Sequence, residues 1–381
     1  MPKRITPGQI KKTNRQQIYD YIYQHKTVSQ QDITYALRLS RPTVASNLAE
    51  LEEDGLIYKN GQLDSDQVGR KAVAYSIIPA FRIAIGVEIM IDMVKMIAVD
   101  LYGKKLHRVV MEMPYQNHPP YYKKACNAIL KFIRDLDVPD QAILGIGFAM
   151  QGLVSADCKT VVYGKILDCT GLKIEAFTEH LPYPCSFIHD PDGAALSELW
   201  SSPELTDAVY LSLSRHLGGS MIANRKIMTG KHGHTATFEH IQMRQNGTMC
   251  YCGSRGCAET FCSMNALLGD EDPDPFFEQV RGNVPEAVKR WKTYLKHLST
   301  LIGILHLVDD VDFILGGHLA KYFTEADIQF MYNEIHCNCP FEDSKNYILI
   351  SKMPSHNINI GAALPYIQTF LDDIGPRTGK A

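Results

Sequence analysis

The segment Cys250-Tyr251-Cys252-Gly253-Ser254-Arg255-Gly256-Cys257-Ala258-Glu259 sets three cysteines close together with two glycines between the last pair, and His240 lies upstream. Three thiolates and one imidazole complete a tetrahedral zinc shell, which leaves no open position for water and is therefore structural. Gly253 and Gly256 let a short loop curl tightly enough for the sulfurs to converge. Three reduced cysteines beside a surface histidine are the plainer alternative. The third cysteine, the glycines and the upstream histidine together favour metal. His240, Cys250, Cys252 and Cys257 are thus the expected ligands of a structural Zn2+. His232 and His234 are substitutes for the fourth place, and Cys262 is a spare thiol. A second Cys-x-Cys, Cys337-Asn338-Cys339, has no fourth partner nearby and reads as structural.

Around this loop the chain alternates between strand-like and helical stretches. Strands are expected over 83–90, 94–101, 142–148, 185–189, 208–213, 221–224, 313–315 and 347–351. Helices are expected over 121–136, 193–200, 285–308 and 358–370. In the longest helix Val288, Trp291, Leu295, Leu298, Ile302 and Leu305 recur with helical spacing, so they face inward. This mixture predicts an α/β body of two lobes.

The first 80 residues have a different texture. Ile18, Tyr21 and Ile22 share one helical face. Ser29 caps a second helix, and Ser40 caps a third that tolerates Pro42 in its first turn and carries Val44, Leu48 and Leu51 as its apolar stripe. Two strands follow, 56–58 and 72–77, joined by a polar connection. Three helices and a hairpin predict a winged helix-turn-helix, whose third helix enters the major groove of double-stranded DNA. Arg41, Thr43, Ser46 and Asn47 are the expected base readers, since Arg matches guanine acceptors and Asn the adenine edge. Arg70 and Lys71 in the wing are expected on the backbone or the minor groove. A packing module with solvated charges is the bland alternative.

Composition agrees with this division. The chain has 381 residues, of which 45% are hydrophobic and 21% charged, which excludes wholesale disorder. Residues 1–80 hold 11 Lys/Arg against 8 Asp/Glu, whereas the remainder holds 28 against 34. The attraction for DNA must therefore come from the head. No apolar run approaches the roughly 20 residues of a membrane helix. The basic N-terminus lacks the apolar stretch of a secretory signal. A cytoplasmic protein without a membrane partner is expected.

Taken together these motifs resemble the repressor/open-reading-frame/kinase (ROK) family in its regulator branch, which includes xylose and N-acetylglucosamine repressors. Cys250 to Glu259 is the most specific mark, and Gly145-Ile146-Gly147, Gly316-Gly317 and Gly361-Ala362-Ala363 fall in the order expected of it. The resemblance implies an actin/hexokinase-like, ribonuclease-H-like body behind the winged helix, with a sugar site in the cleft. Residues 1–80 would be the DNA-binding domain and 81–381 the sensing and oligomerising one. Lobe one would span about 81–190 plus the C-terminal helix, and lobe two about 191–357 with the zinc site.

The family's sugar kinases carry Asn-Asp before a helix, where this chain has His189-Asp190. Their Glu-x-Gly-His segment is here Thr237-Phe238-Glu239-His240, so the zinc histidine remains and the sugar-binding glutamate is replaced by Thr237. Glu259 is kept. The resemblance thus implies His189, Asp190, Thr237 and Glu259 around a sugar or sugar-phosphate effector. Helix capping is the plainer role for Asp190, and support of the cysteine loop for Glu259. The kinases also open their body with Asp-x-Gly-Gly-Thr, where this chain reads Glu88-Ile89-Met90-Ile91-Asp92. Bulky side chains would stand where phosphate must meet backbone. The expectation is a non-catalytic repressor of a carbohydrate operon, acting as a homodimer or homotetramer on a two-fold operator. A sugar kinase with a DNA-binding head, and a regulator whose body binds a protein instead of a sugar, are the alternatives.

Overall fold

The computed structural model describes residues 6–63, 72–337, 346–353 and 357–374. The head opens with the helix Pro7–His25, whose first turn is closed by a reciprocal box between Thr6 and Gln9. Ser29 caps Gln30–Leu37 in the same way with Asp32, and Ser40 caps Arg41–Glu53. Ile18, Tyr19, Ile22, Ile33, Val44, Leu48 and Leu51 are buried together. The strands Ile57–Leu63 and Ala72–Ile77 form the hairpin, and Val28–Ser29 adds a third strand. Two residues are too few to show alternation, so that strand is silent in the sequence. Arg70 and Lys71 lie outside the described residues, as does Cys339.

The body contains two five-stranded sheets of matching design. The first has the order Cys185–His189, Ile143–Met150, Ile83–Ile89, Met93–Val99, Lys105–Glu112; the first three strands are parallel and the last two antiparallel. The second has the order Lys226–Ile227, Leu217–Ala223, Ala208–Leu213, Asp312–Gly316, Ile348–Ile350, with the last three parallel. Each sheet has its own apolar core. This duplication is the two-lobed actin/hexokinase-like architecture.

Several elements differ from the sequence expectation. The edge strand Lys105–Glu112 is largely open to solvent and carries charge, so it lacks the apolar run of its neighbours. The strand expected at 221–224 begins at Leu217, with Gly218 and Gly219 paired inside it. Helices also form at Pro273–Arg281 and Glu325–His336.

The C-terminal helix, Asn357–Leu371, lies across the first sheet and beside the helix Asp190–Ser201. Backbones touch there: a Cβ on Gly361 would collide with the carbonyl of Gly193. The far end of this helix reaches the head. Ile360, Ala363, Leu364, Ile367, Leu371 and Ile374 share one continuous core with the head's helices. Gln16 Nε2 donates to the Leu371 carbonyl at 2.7 Å, and Ile374 N donates to Gln16 Oε1 at 2.8 Å.

Candidate ligand cleft, metal centre and DNA-reading face

A cleft of about 340 Å³ is lined by residues from both sheets. The first sheet contributes Glu88 and the turn Met90–Met93. The second contributes Ser212 and the turn Ser214–Gly218. His189 and Asp190 enter it because a strand ends and a helix begins at that point. His189 Nε2 is 3.6 Å from Asp190 Oδ1. Burial lowers the His189 imidazole to about 4, so it is neutral at physiological pH. Burial, reinforced by the Glu88 charge, raises the Asp190 carboxyl to about 8. Asp190 occupies the first helical position, and no side chain caps this helix.

Two expected positions stand elsewhere. Thr237 does not line the cleft; its hydroxyl donates to the His234 carbonyl at 3.3 Å. Glu259 is not on the cleft wall either, and both its oxygens are already used. It accepts from His216 Nδ1 and from Leu217 N, each at 2.8 Å. Glu259 therefore sets the His216 ring, which does line the cleft. It supports that ring rather than the cysteine loop. Glu239 was missed, although it directly precedes His240, an expected metal ligand. It lines the cleft with 5% of its surface exposed. Burial raises its carboxyl to about 8, with Glu259 and Asp190 adding to the effect.

His240, Cys250, Cys252 and Cys257 bring one donor atom each within 4.8 Å of one another, a group that can hold a metal ion. Cys252 Sγ and Cys257 Sγ are 3.8 Å apart, and Cys250 Sγ is 3.8 Å from His240 Nδ1. Two sulfurs at about 2.3 Å from a tetrahedral zinc are separated by about 3.8 Å, so the donor set fits that ion. The loop needs Gly256 at φ +72°, where a Cβ would also strike the Arg244 carbonyl. Burial lifts the Cys250 thiol to about 12, so a bound cation would be needed to hold it deprotonated. His232 and His234 are not among the four donors. Tyr251, between two of the cysteines, reaches the cleft and packs edge-on to His216 and His240, at 5.4 and 5.2 Å between centroids.

On the head, Arg41 and Ser46 are exposed and Thr43 half-buried. Asn47 is not on the groove-facing surface expected of it. It is 3% exposed, and its Nδ2 donates to the Thr43 carbonyl at 2.8 Å. Its spacing from Val44 and Leu51 turns it toward the core rather than outward. Tyr35, 87% exposed, and Arg38 border the same hollow as Arg41 and extend the candidate face. An aromatic and an arginine three residues apart, just before the third helix, were the available signal. Among the described residues no helix is long and apolar enough to cross a membrane.

The ROK family profile matches residues 84–364, and a winged helix-turn-helix DNA-binding profile matches residues 12–58. The chain is 23% identical to the xylose repressor of Caldicellulosiruptor bescii over 389 aligned positions, 95% of this chain and 97% of that one. A solved ROK family transcriptional regulator, a homologue of the Escherichia coli Mlc protein, superposes with a TM-score of 0.74 at 19% identity over 96% of this chain and 98% of its own. A ROK glucokinase from Streptomyces griseus, solved with glucose and AMPPNP, superposes with a TM-score of 0.65 at 20% identity over 75% of this chain and 99% of its own. Those structural likenesses speak for the fold alone. Since the family profile takes in most of the length, from the first strand of the body into the C-terminal helix, the chain belongs to the ROK family.

Proposed function

We propose that this chain is a cytoplasmic DNA-binding transcriptional regulator, a repressor of a carbohydrate operon. Its body (residues 81–381) senses a sugar or sugar phosphate without transforming it, and its head (residues 1–80) reads the operator as part of a two-fold oligomer. A zinc ion on His240, Cys250, Cys252 and Cys257 braces the second lobe. The observation that carries this reading is the C-terminal helix. Ile358 near its start lines the cleft, and Leu371 at its end is hydrogen-bonded to the head. One helix, with Pro365 in its interior, therefore touches both sites. A ligand that prefers one arrangement of the lobes biases the position of the heads, as coupling between two sites requires.

The non-catalytic reading is supported by the wall where a kinase needs a phosphate cradle. Met90 and Ile91 line the cleft there, with no glycine to admit phosphate oxygens to the backbone. Asp190 lines the cleft and could meet a hydroxyl, but a base without a positioned phosphate donor contributes little.

A thermal-shift screen of sugars and sugar phosphates, followed by gel shifts of operator DNA, tests the reading. A ligand at 100 times its Kd stabilises by about 2.7 kcal/mol, and the same ligand is expected to change operator affinity. Sugar-dependent ADP formation from ATP that vanishes in Asp190→Asn would establish a kinase instead.

A further inference from the structure

Carboxylates stand on the cleft wall, which Lys165 and Arg215 also line. Glu88, Asp190 and Glu239 all line it. Glu88 is paired with Lys95 Nζ at 3.3 Å. Among the described residues, Asp190 and Glu239 have no lysine or arginine within 4 Å. Their nearby rings, His189 at 3.6 Å and His240 at 3.8 Å, stand beyond hydrogen-bond distance.

Glu239 carries the argument. It is 95% buried, aimed into a ligand cavity, and its Oε2 has no hydrogen-bond partner. A buried carboxylate oxygen left without a donor is unfavourable, so Oε2 marks a place completed from outside. Gln151, on the same wall, also holds an unpartnered Oε1. The neighbouring cysteine cluster supplies no compensating charge, because three thiolates outweigh one divalent ion. The carboxylates do not form a metal shell of their own. Among the described residues only the His240–Cys257 set brings three or more donors within 4.8 Å.

We propose that the cleft takes a ligand bearing a protonated amine, an amino sugar or a related amino polyol, with its ammonium group on Glu239 and Asp190 on the same wall. The inference rests on the sensing reading above and adds the chemical class. A neutral polyol offers one donor per hydroxyl, whereas an ammonium offers three donors to the unpartnered oxygens and favours the ionised carboxylate.

Calorimetry on the full-length protein at neutral pH tests this with glucosamine, galactosamine and mannosamine, each beside its neutral parent and its N-acetyl form. The expected result is one amine bound at least about tenfold tighter than both of its counterparts. Glu239→Gln should reduce that preference to about twofold with metal content unchanged, and Glu239→Asp should keep part of it. Should Glu239→Gln fail to fold, added salt is the second measure, since it should weaken the amine and spare the neutral parent. Equal binding of amine and neutral parent overturns the proposal and leaves sugar sensing intact. No binding by any of these sugars or their phosphates overturns both.

Discussion

Arg15, in the first helix of the head, donates from Nε to the carbonyl of Ile374, just beyond the C-terminal helix, at 3.0 Å. Its other arm meets Asp54 Oδ2 at 2.5 Å, and the whole residue is 1% exposed. A fully buried arginine spanning 359 positions of sequence is a structural bolt between the DNA-reading head and the end of the body. Arg15→Met should destabilise the folded chain by about 3 kcal/mol, at the low end for a broken buried pair because Asp54 keeps some exposure. Chemical denaturation measures the loss. The sharper readout is coupling: ligand binding to the body should persist in Arg15→Met while its effect on operator affinity shrinks. Unchanged coupling would assign Arg15 to stability alone.

The placement of Asn47 separates two residues that the sequence made equivalent. Arg41→Ala should lose about 1–3 kcal/mol of discrimination between operator and mismatched DNA, with little change in melting temperature. Asn47→Ala should leave base preference alone, because its amide is turned to the Thr43 carbonyl inside the helix. Tyr35→Ala and Arg38→Ala belong with Arg41 in this test. Gel shifts against single-base operator variants decide it, and a base preference altered by Asn47→Ala would restore that residue to the reading surface.

What could be read from the sequence divides along physical lines. The caps Ser29 and Ser40 were legible because their chemistry is local. So were the buried strands, because parallel strands covered on both faces are continuously apolar. The cysteine cluster was legible because its donors are neighbours in sequence. Long-range geometry was not. Glu259 resembled a cleft residue, yet it spends both oxygens on His216 and Leu217, more than 40 positions away. Glu239 was visible beside His240, an expected metal ligand, but only folding shows its carboxylate buried in the cleft lining. The charged edge strand Lys105–Glu112 has no pattern until its neighbour is in place.

Asp190 gives the protein a pH dependence of definite sign. Burial and the Glu88 charge raise its carboxyl to about 8 in the folded chain, from an ordinary value of 3.8. The folded state therefore holds a proton that the unfolded state has released, and stability falls as pH rises from about 4 to about 8. Asp190→Asn has no proton to lose, so its decline over that window should be shallower. Asp192, raised to about 7 by burial, and Glu239 leave a residual slope. Melting temperatures of both proteins across the window provide the check. Identical slopes would mean that the Asp190 carboxyl is well solvated in the folded protein.

Metal and ligand should be linked through Tyr251. This residue sits between Cys250 and Cys252, two expected zinc ligands, yet its ring lines the cleft against His216. Backbone hydrogen bonds from Gly256 N to the Thr248 carbonyl and from Ala258 N to the Ile241 carbonyl tie the base of the loop, and those from Cys250 N to the Ser254 carbonyl and from Gly253 N to the Cys250 carbonyl close its tip, so a bound ion would chiefly fix the tip that carries Tyr251. Removing the metal should thus free Tyr251 and the His216 ring packed edge-on against it, and weaken ligand binding as well as stability. Cys257→Ser should lose metal and unfold more easily. Tyr251→Ala should keep metal and much of its stability but lose ligand affinity, because it removes the cleft contact without touching a donor. Elemental analysis combined with calorimetry on the two variants separates the effects. If chelation strips the metal and ligand affinity stays the same, the ion braces the lobe without shaping the cleft.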